Sequence, residues 1–203
     1  MITKIVRALS VAGVLVSASV WADSGLVFSV MAQKQSLSIS QKGSGIYSAL
    51  DEDDTLETDV GLGLGFGVGS LDGRSRFLIE FNGLEVEDSL SMGIYVAGWE
   101  KFFPLSSAPA VRPFAGISAG LGTLDMDAGY LTGLKADNDA RFVYGVSAGM
   151  QFELNREMAL ELRARYLQTD LSVHLENALS PASAVDFDVD SSLSLSGGVS
   201  WHF

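Results

Sequence analysis

The stretch Val60-Gly61-Leu62-Gly63-Leu64-Gly65-Phe66-Gly67-Val68-Gly69 alternates a large apolar residue with glycine without a break. Successive side chains of a strand point to opposite faces, so one face of this segment is greasy and the other nearly bare. A helix would spread the five glycines over all its sides and lose stability at each. The segment is a strand with an apolar surface on one side and a crowded space on the other.

The same theme recurs along the chain. Eight runs alternate in this way, approximately Leu26 to Ile39, Glu57 to Ser70, Arg74 to Leu84, Leu90 to Phe102, Arg112 to Leu124, Arg141 to Leu154, Met158 to Thr169 and Phe187 to Phe203. No amphipathic helix interrupts them. In the sixth, Phe142, Tyr144, Val146, Ala148, Met150 and Phe152 oppose Arg141, Val143, Gly145, Ser147, Gly149 and Gln151. In the eighth, Leu193, Leu195, Val199, Trp201 and Phe203 oppose Ser194, Ser196, Gly198, Ser200 and His202. A soluble sandwich also alternates, but packs its apolar faces against each other. Glycine and serine on the second face instead suit strands enclosing a narrow lumen. The expected fold is all-β, an eight-stranded antiparallel transmembrane β-barrel.

Composition fits that expectation. The chain has 203 residues, 19% of them charged, and a formal net charge of −12. Its mean hydropathy is nevertheless positive, at +0.27. A barrel reconciles the two, because only alternate residues need be apolar. Cysteine is absent, which excludes disulfides and thiolate metal sites. Residues 1–22 read as a secretory signal peptide, with Lys4 and Arg7 before an apolar run from Ala8 to Val20 and a cleavage position after Ala22. Residues 23–203 then form the barrel domain, exported to the outer membrane of a Gram-negative bacterium.

An even strand number brings both termini to the periplasmic side. Connections after the first, fifth and seventh runs are long and the turns near Asp72 and Asn155 short, as expected of outer loops and periplasmic turns. The connection near Glu87 is short for an outer loop, and that from Pro104 to Pro113 long for a turn. Phe28, Phe66, Phe77, Phe102, Phe103, Phe114, Phe152, Trp201 and Phe203 fall toward the periplasmic end, and Phe142, Tyr144 and Tyr166 toward the outer end. The expectation is two interfacial girdles.

Three stretches resemble the small eight-stranded outer-membrane barrels that include the OmpA membrane domain and the OmpX/Ail and OmpW types. Arg112 to Gly122 is similar to their fifth strand, and Gly149 to Tyr166 to their sixth hairpin. Gly198, Val199, Trp201 and Phe203 resemble the C-terminal signal read by the barrel-assembly machinery, so Val199, Trp201 and Phe203 are the implied assembly signal. The likeness spans the mature chain and implies a fold and a folding route rather than one activity. The resemblance departs from OmpA in one respect, since no peptidoglycan-binding domain is expected after Phe203.

Charges on the inward faces mark the candidate site. Alternation turns Arg76, Leu78, Glu80 and Asn82 inward from the third run and Glu161, Arg163 and Arg165 inward from the seventh, and these runs lie opposite each other in a ring of eight. A buried unpaired charge is very costly, so Glu80 is expected to pair with Arg163 or Arg165, and Glu161 with Arg76 or strand neighbours. Such pairs would plug the lumen, as a static network or as a gate that exchanges partners.

Acidic residues concentrate in or beside the predicted outer loops, from Asp51, Glu52, Asp53 and Asp54 to Asp186, Asp188 and Asp190. Such a rim argues against nucleic-acid binding and leaves outer-membrane lipid and lipopolysaccharide as the expected surroundings. The last three aspartates have the spacing of a calcium loop but lack its glycine and distal glutamate, so they read as solvated charge rather than metal ligands. Two histidines, His174 in the last outer loop and His202 toward the lumen, complete no nucleophile, base and oxyanion set, and no cofactor is implied. The expectation is a monomeric, non-enzymatic envelope protein with a structural or surface-interaction role toward a surface ligand or host partner that the residues do not identify; the alternatives are a narrow channel for small or apolar solutes, and a lipid-modifying enzyme.

Overall fold

The structure, a computed structural model, describes residues 25–44, 52–70, 72–87, 90–126, 134–138, 140–177 and 180–203. Residues 1–22, expected from sequence to be a signal peptide, lie outside the described residues. Ten strands follow in order: β1 (Leu26–Gly43), β2 (Glu52–Glu57), β3 (Gly61–Gly69), β4 (Ser75–Glu87), β5 (Leu90–Phe102), β6 (Val111–Met126), β7 (Leu134–Asn138), β8 (Ala140–Glu153), β9 (Met158–Asn177) and β10 (Ser180–His202).

Eight of them close a ring in the order β1, β3, β4, β5, β6, β8, β9, β10, with β10 pairing back to β1. Every wall pairing is antiparallel. Paired residues followed round the ring from Val27 pass through Gly67, Leu78, Gly98, Ser118, Gly145, Leu167 and Ser192, and return to β1 at Leu37. That stagger of ten residues tilts the strands and sets a bore narrow enough for side chains to fill.

The outer wall is apolar. Val60, Leu62, Ile79, Phe81, Tyr95, Trp99, Ile117, Leu121, Phe142, Tyr144, Val146, Leu162, Leu193 and Leu195 are all among the exposed large hydrophobics, between 44% and 71% accessible. An apolar belt of this extent, encircling a closed barrel, belongs in lipid and not in water. Near the end that holds the termini, Phe28 packs on Phe66 at 5.0 Å between centroids and on Trp201 at 5.6 Å. Two members assigned to that girdle from sequence do not join it. Phe102 and Phe114 are each 3% accessible and lie inside the barrel, where both rings flank the guanidinium of Arg76.

The two extra strands sit at the far end. β2 runs on from β3 past a bulge at residues 58–60 and pairs with β1, and β7 pairs with β9. Thr58 pins the bulge: its N–H donates to the Gln35 carbonyl at 2.8 Å, and its Oγ1 accepts from the Gln35 N–H at 2.9 Å. β4 ends at Glu87 and β5 begins at Leu90, whereas β9 extends to Asn177 and β10 begins at Ser180. The long loop expected after the seventh run is therefore mostly strand, and His174 lies on β9 in register with Asp137 of β7 and Asp186 of β10. A sheet ordered β2-β1-β10-β9-β7 thus stands above the β4–β5 side of the rim.

Candidate functional site

The inward faces build the lumen in two layers. The lower layer, toward the termini, carries three arginines and three glutamates with accessibilities of 5% or less: Arg76 and Glu80 from β4, Glu100 from β5, and Glu161, Arg163 and Arg165 from β9. β4 and β9 face each other across the ring, so their side chains meet at its axis.

Arg76 donates from Nε to Glu100 Oε2 at 2.6 Å and from Nη2 to Glu161 Oε1 at 2.7 Å. Arg163 is the hub. Its Nη2 reaches Glu161 Oε1 at 2.5 Å and lies 3.0 Å from Glu100 Oε1, while its Nη1 donates to Glu80. Arg165 donates from Nη2 to the other oxygen of Glu80. The six charges sum to zero, which is what a water-poor bore requires. Phe114 stacks on both Arg76 and Arg163, at 5.3 and 5.5 Å from ring centroid to Cζ, adding cation–π contact to the hydrogen bonds.

Small residues make room for this cluster. A Cβ on Gly116 would stand 2.6 Å from Glu100 Cγ, and one on Gly149 would stand 2.5 Å from the Phe114 ring. The bare face read from sequence is bare because its neighbours' long side chains occupy the space above it. Ser29, Ser118, Ser147, Ser194 and Ser200 line the same wall and are buried.

The upper layer is apolar. Leu37, Ile39, Leu84, Met92, Ile94, Val96, Leu124, Val143, Leu167, Leu171 and Val189 form one buried cluster inside the barrel, with Leu56 of β2 packed against it. Sequence reasoning did not foresee this layer, nor Glu100. The signal was present in β5, where Met92, Ile94, Val96, Gly98, Glu100 and Phe102 share one parity and therefore one face.

At the terminus end, Arg112 of β6 donates from Nη1 to Glu153 Oε1 at 2.6 Å and from Nη2 to the Gly73 carbonyl at 2.7 Å. Gln151 Nε2 lies 3.3 Å from Ser200 Oγ and 3.3 Å from His202 Nε2. Val199, Trp201 and Phe203 lie at the foot of the last strand, in register with β1 as far as His202; the Phe203 N–H closes the seam on the Leu26 carbonyl at 2.9 Å. Among the described residues no group of three or more His, Cys, Asp or Glu side chains is placed to hold a metal ion.

The fold is that of the small outer-membrane barrels. Neisserial surface protein A aligns with a TM-score of 0.58 and 18% identity, over 87% of this chain and 97% of that one. The outer-membrane protein OprG from Pseudomonas aeruginosa aligns with a TM-score of 0.56 and 15% identity, over 89% and 96%. At these identities the likeness is one of fold. No family model and no curated protein sequence matches the chain.

Proposed function

We propose that this chain is a non-enzymatic outer-membrane protein whose barrel is a closed anchor, and whose protruding sheet serves surface interaction. The observation that carries this reading is the lumen filled at two levels, a neutral ion cluster below and an apolar cluster above. An ion crossing the bore would have to separate the pairs in the first layer and then lose its hydration in the second. The sheet β2-β1-β10-β9-β7 supplies a raised platform that a purely structural barrel does not need.

In this reading residues 1–22 direct export and are removed, both termini face the periplasm, the working form is a monomer, and Val199, Trp201 and Phe203 are read by the barrel-assembly machinery. Outer-membrane lipid and lipopolysaccharide surround the wall. Planar-bilayer recording on refolded protein tests the closed anchor. The expected result is no steady conductance from the native chain and discrete openings from Arg163→Ala, which removes the hub. Reproducible conductance from the native chain, unchanged in Arg163→Ala, would instead establish a narrow channel.

A further inference from the structure

At the terminus end of the bore lies a recess of about 90 Å³, lined by Arg76, Phe102, Arg112, His202 and the glycines Gly69 and Gly73. Its two guanidiniums flank one aromatic ring, with Arg112 Cζ 4.4 Å and Arg76 Cζ 5.1 Å from the Phe102 centroid. Each has spent all but one of its donor nitrogens on the protein. Arg76 commits Nε and Nη2 to Glu100 and Glu161, leaving Nη1 buried with no protein acceptor. Arg112 commits Nη1 and Nη2 to Glu153 and Gly73, leaving Nε in the same condition. Arg76 is only 2% accessible, so its remaining donor is not answered by bulk water.

We propose that this recess is a binding site for a small oxyanion, a carboxylate or phosphate group entering from the terminus end of the barrel. Guanidinium offers donors and no acceptor, so the missing partner is acceptor-rich. Planar and tetrahedral oxyanions present several oxygens at once, which suits two donors held on separate guanidiniums, Arg76 Nη1 and Arg112 Nε. At about 90 Å³ the recess is on the scale of one small group of this kind. The Phe102 ring fixes both guanidinium planes, so little side-chain freedom is lost on binding. His202, on the same wall, adds an N–H when protonated.

The group can be free in solution or carried on a lipid headgroup at the membrane face, and the test separates these sources. Refolded full-length barrel in zwitterionic micelles, with 15N-labelled arginine, is titrated with inorganic phosphate, acetate or short-chain phosphatidylglycerol at constant ionic strength. The expected result is a saturable shift of the Arg112 Nε–H resonance with at least one probe; saturation by phosphatidylglycerol alone identifies the headgroup as the source. Loss of one charge-assisted hydrogen bond predicts binding weakened about tenfold or more in Arg112→Gln, followed there by 31P or 13C line broadening of the probe. Gly69→Ala is the second variant. Its added Cβ meets only the Gly25 carbonyl at 3.5 Å, the Ser75 carbonyl at 3.9 Å and Val27 Cγ2 at 3.9 Å, ordinary contacts that leave the fold intact while narrowing the recess. It should weaken binding while migration on an unboiled gel stays that of the folded barrel. No saturation with any probe, or saturation that both variants leave unchanged, overturns the proposal.

Discussion

Replacing Arg163 with methionine keeps much of the side-chain volume and deletes the hub of the lumen network. Contacts to Glu80, Glu100 and Glu161 vanish together, as does the stacking on Phe114. The six-charge cluster goes from neutral to a net charge of minus one, in a place where every remaining member is 5% accessible or less. Breaking a buried pair in this way costs about 3–5 kcal/mol, chiefly as the penalty for the charge left behind. The structure also says how to relieve it. Adding Glu100→Gln removes the surplus charge and leaves two complete pairs, Arg76 with Glu161 and Arg165 with Glu80. The double variant should therefore be more stable than Arg163→Met alone, by about 1–3 kcal/mol. Urea unfolding in lipid vesicles, followed by fluorescence of Trp99 and Trp201 and by gel mobility without boiling, measures both. A cost for Arg163→Met within the range of an exposed pair, about 1 kcal/mol or less, or a double variant as unstable as the sum of the singles, would refute the argument from buried charge.

Three further outcomes follow from the same geometry. Leu171→Ala opens a cavity in the apolar layer, where Leu171 is fully buried, and should cost about 2–5 kcal/mol in the same unfolding experiment without changing the charge network. In the β3–β4 turn the Asp72 carboxylate accepts hydrogen bonds from Ser70 Oγ at 2.6 Å and from the Arg74 N–H at 3.0 Å, which hold its carboxyl below the usual range. A depressed folded value means its contribution is complete above the unfolded aspartate value and fades as pH falls through the folded one, so Asp72→Asn should flatten the acid limb of stability, and an Asp72 titration at or above the usual value would contradict this. Deleting Phe203 removes the last bond across the β1–β10 seam, and should lower the yield of heat-modifiable barrel in the membrane more than the stability of the molecules that do assemble; equal yield from pulse-chase assembly would count against an assembly role.

What the sequence made legible depends on how different the two faces of a strand are. Val60 to Gly69 is unambiguous because glycine alternates with bulk, and the charges of β4 and β9 are legible because an arginine or glutamate cannot face lipid. β5 is harder. Tyr95, Ala97 and Trp99 face out while Met92, Ile94 and Val96 face in, so both faces are apolar and hydrophobicity alone does not say which is the inside. Glu100 sits next to Lys101 in the chain and resembles interfacial charge, although strand parity places it with Gly98 and Phe102. Phe114 shares its face with Gly116 and Ser118, so parity also assigns it to the bore; aromatic type pulled it toward the girdle. The upper strand extensions were hidden for a different reason. The bulge at residues 58–60 shifts the alternation by one, and a period-two pattern that changes phase looks like its end.

The two layers of the lumen depend on each other. Six charges with few spare hydrogen-bond partners are tolerable only if they neutralise one another, and this cluster does so with three arginines and three glutamates. Above it, the leucines, isoleucines and valines of the upper layer keep water from entering along the axis, so the ion pairs act in a medium where their attraction is stronger than in solution. The same dryness raises the penalty for any unmatched charge, which ties strands on opposite sides of the ring to one register: a slip of β9 by a single residue would turn Glu161, Arg163 and Arg165 toward lipid, take both arginines from Glu80 and leave Arg76 with Glu100 alone. With no cysteine in the chain to hold its register covalently, the charge pattern of the bore takes that role.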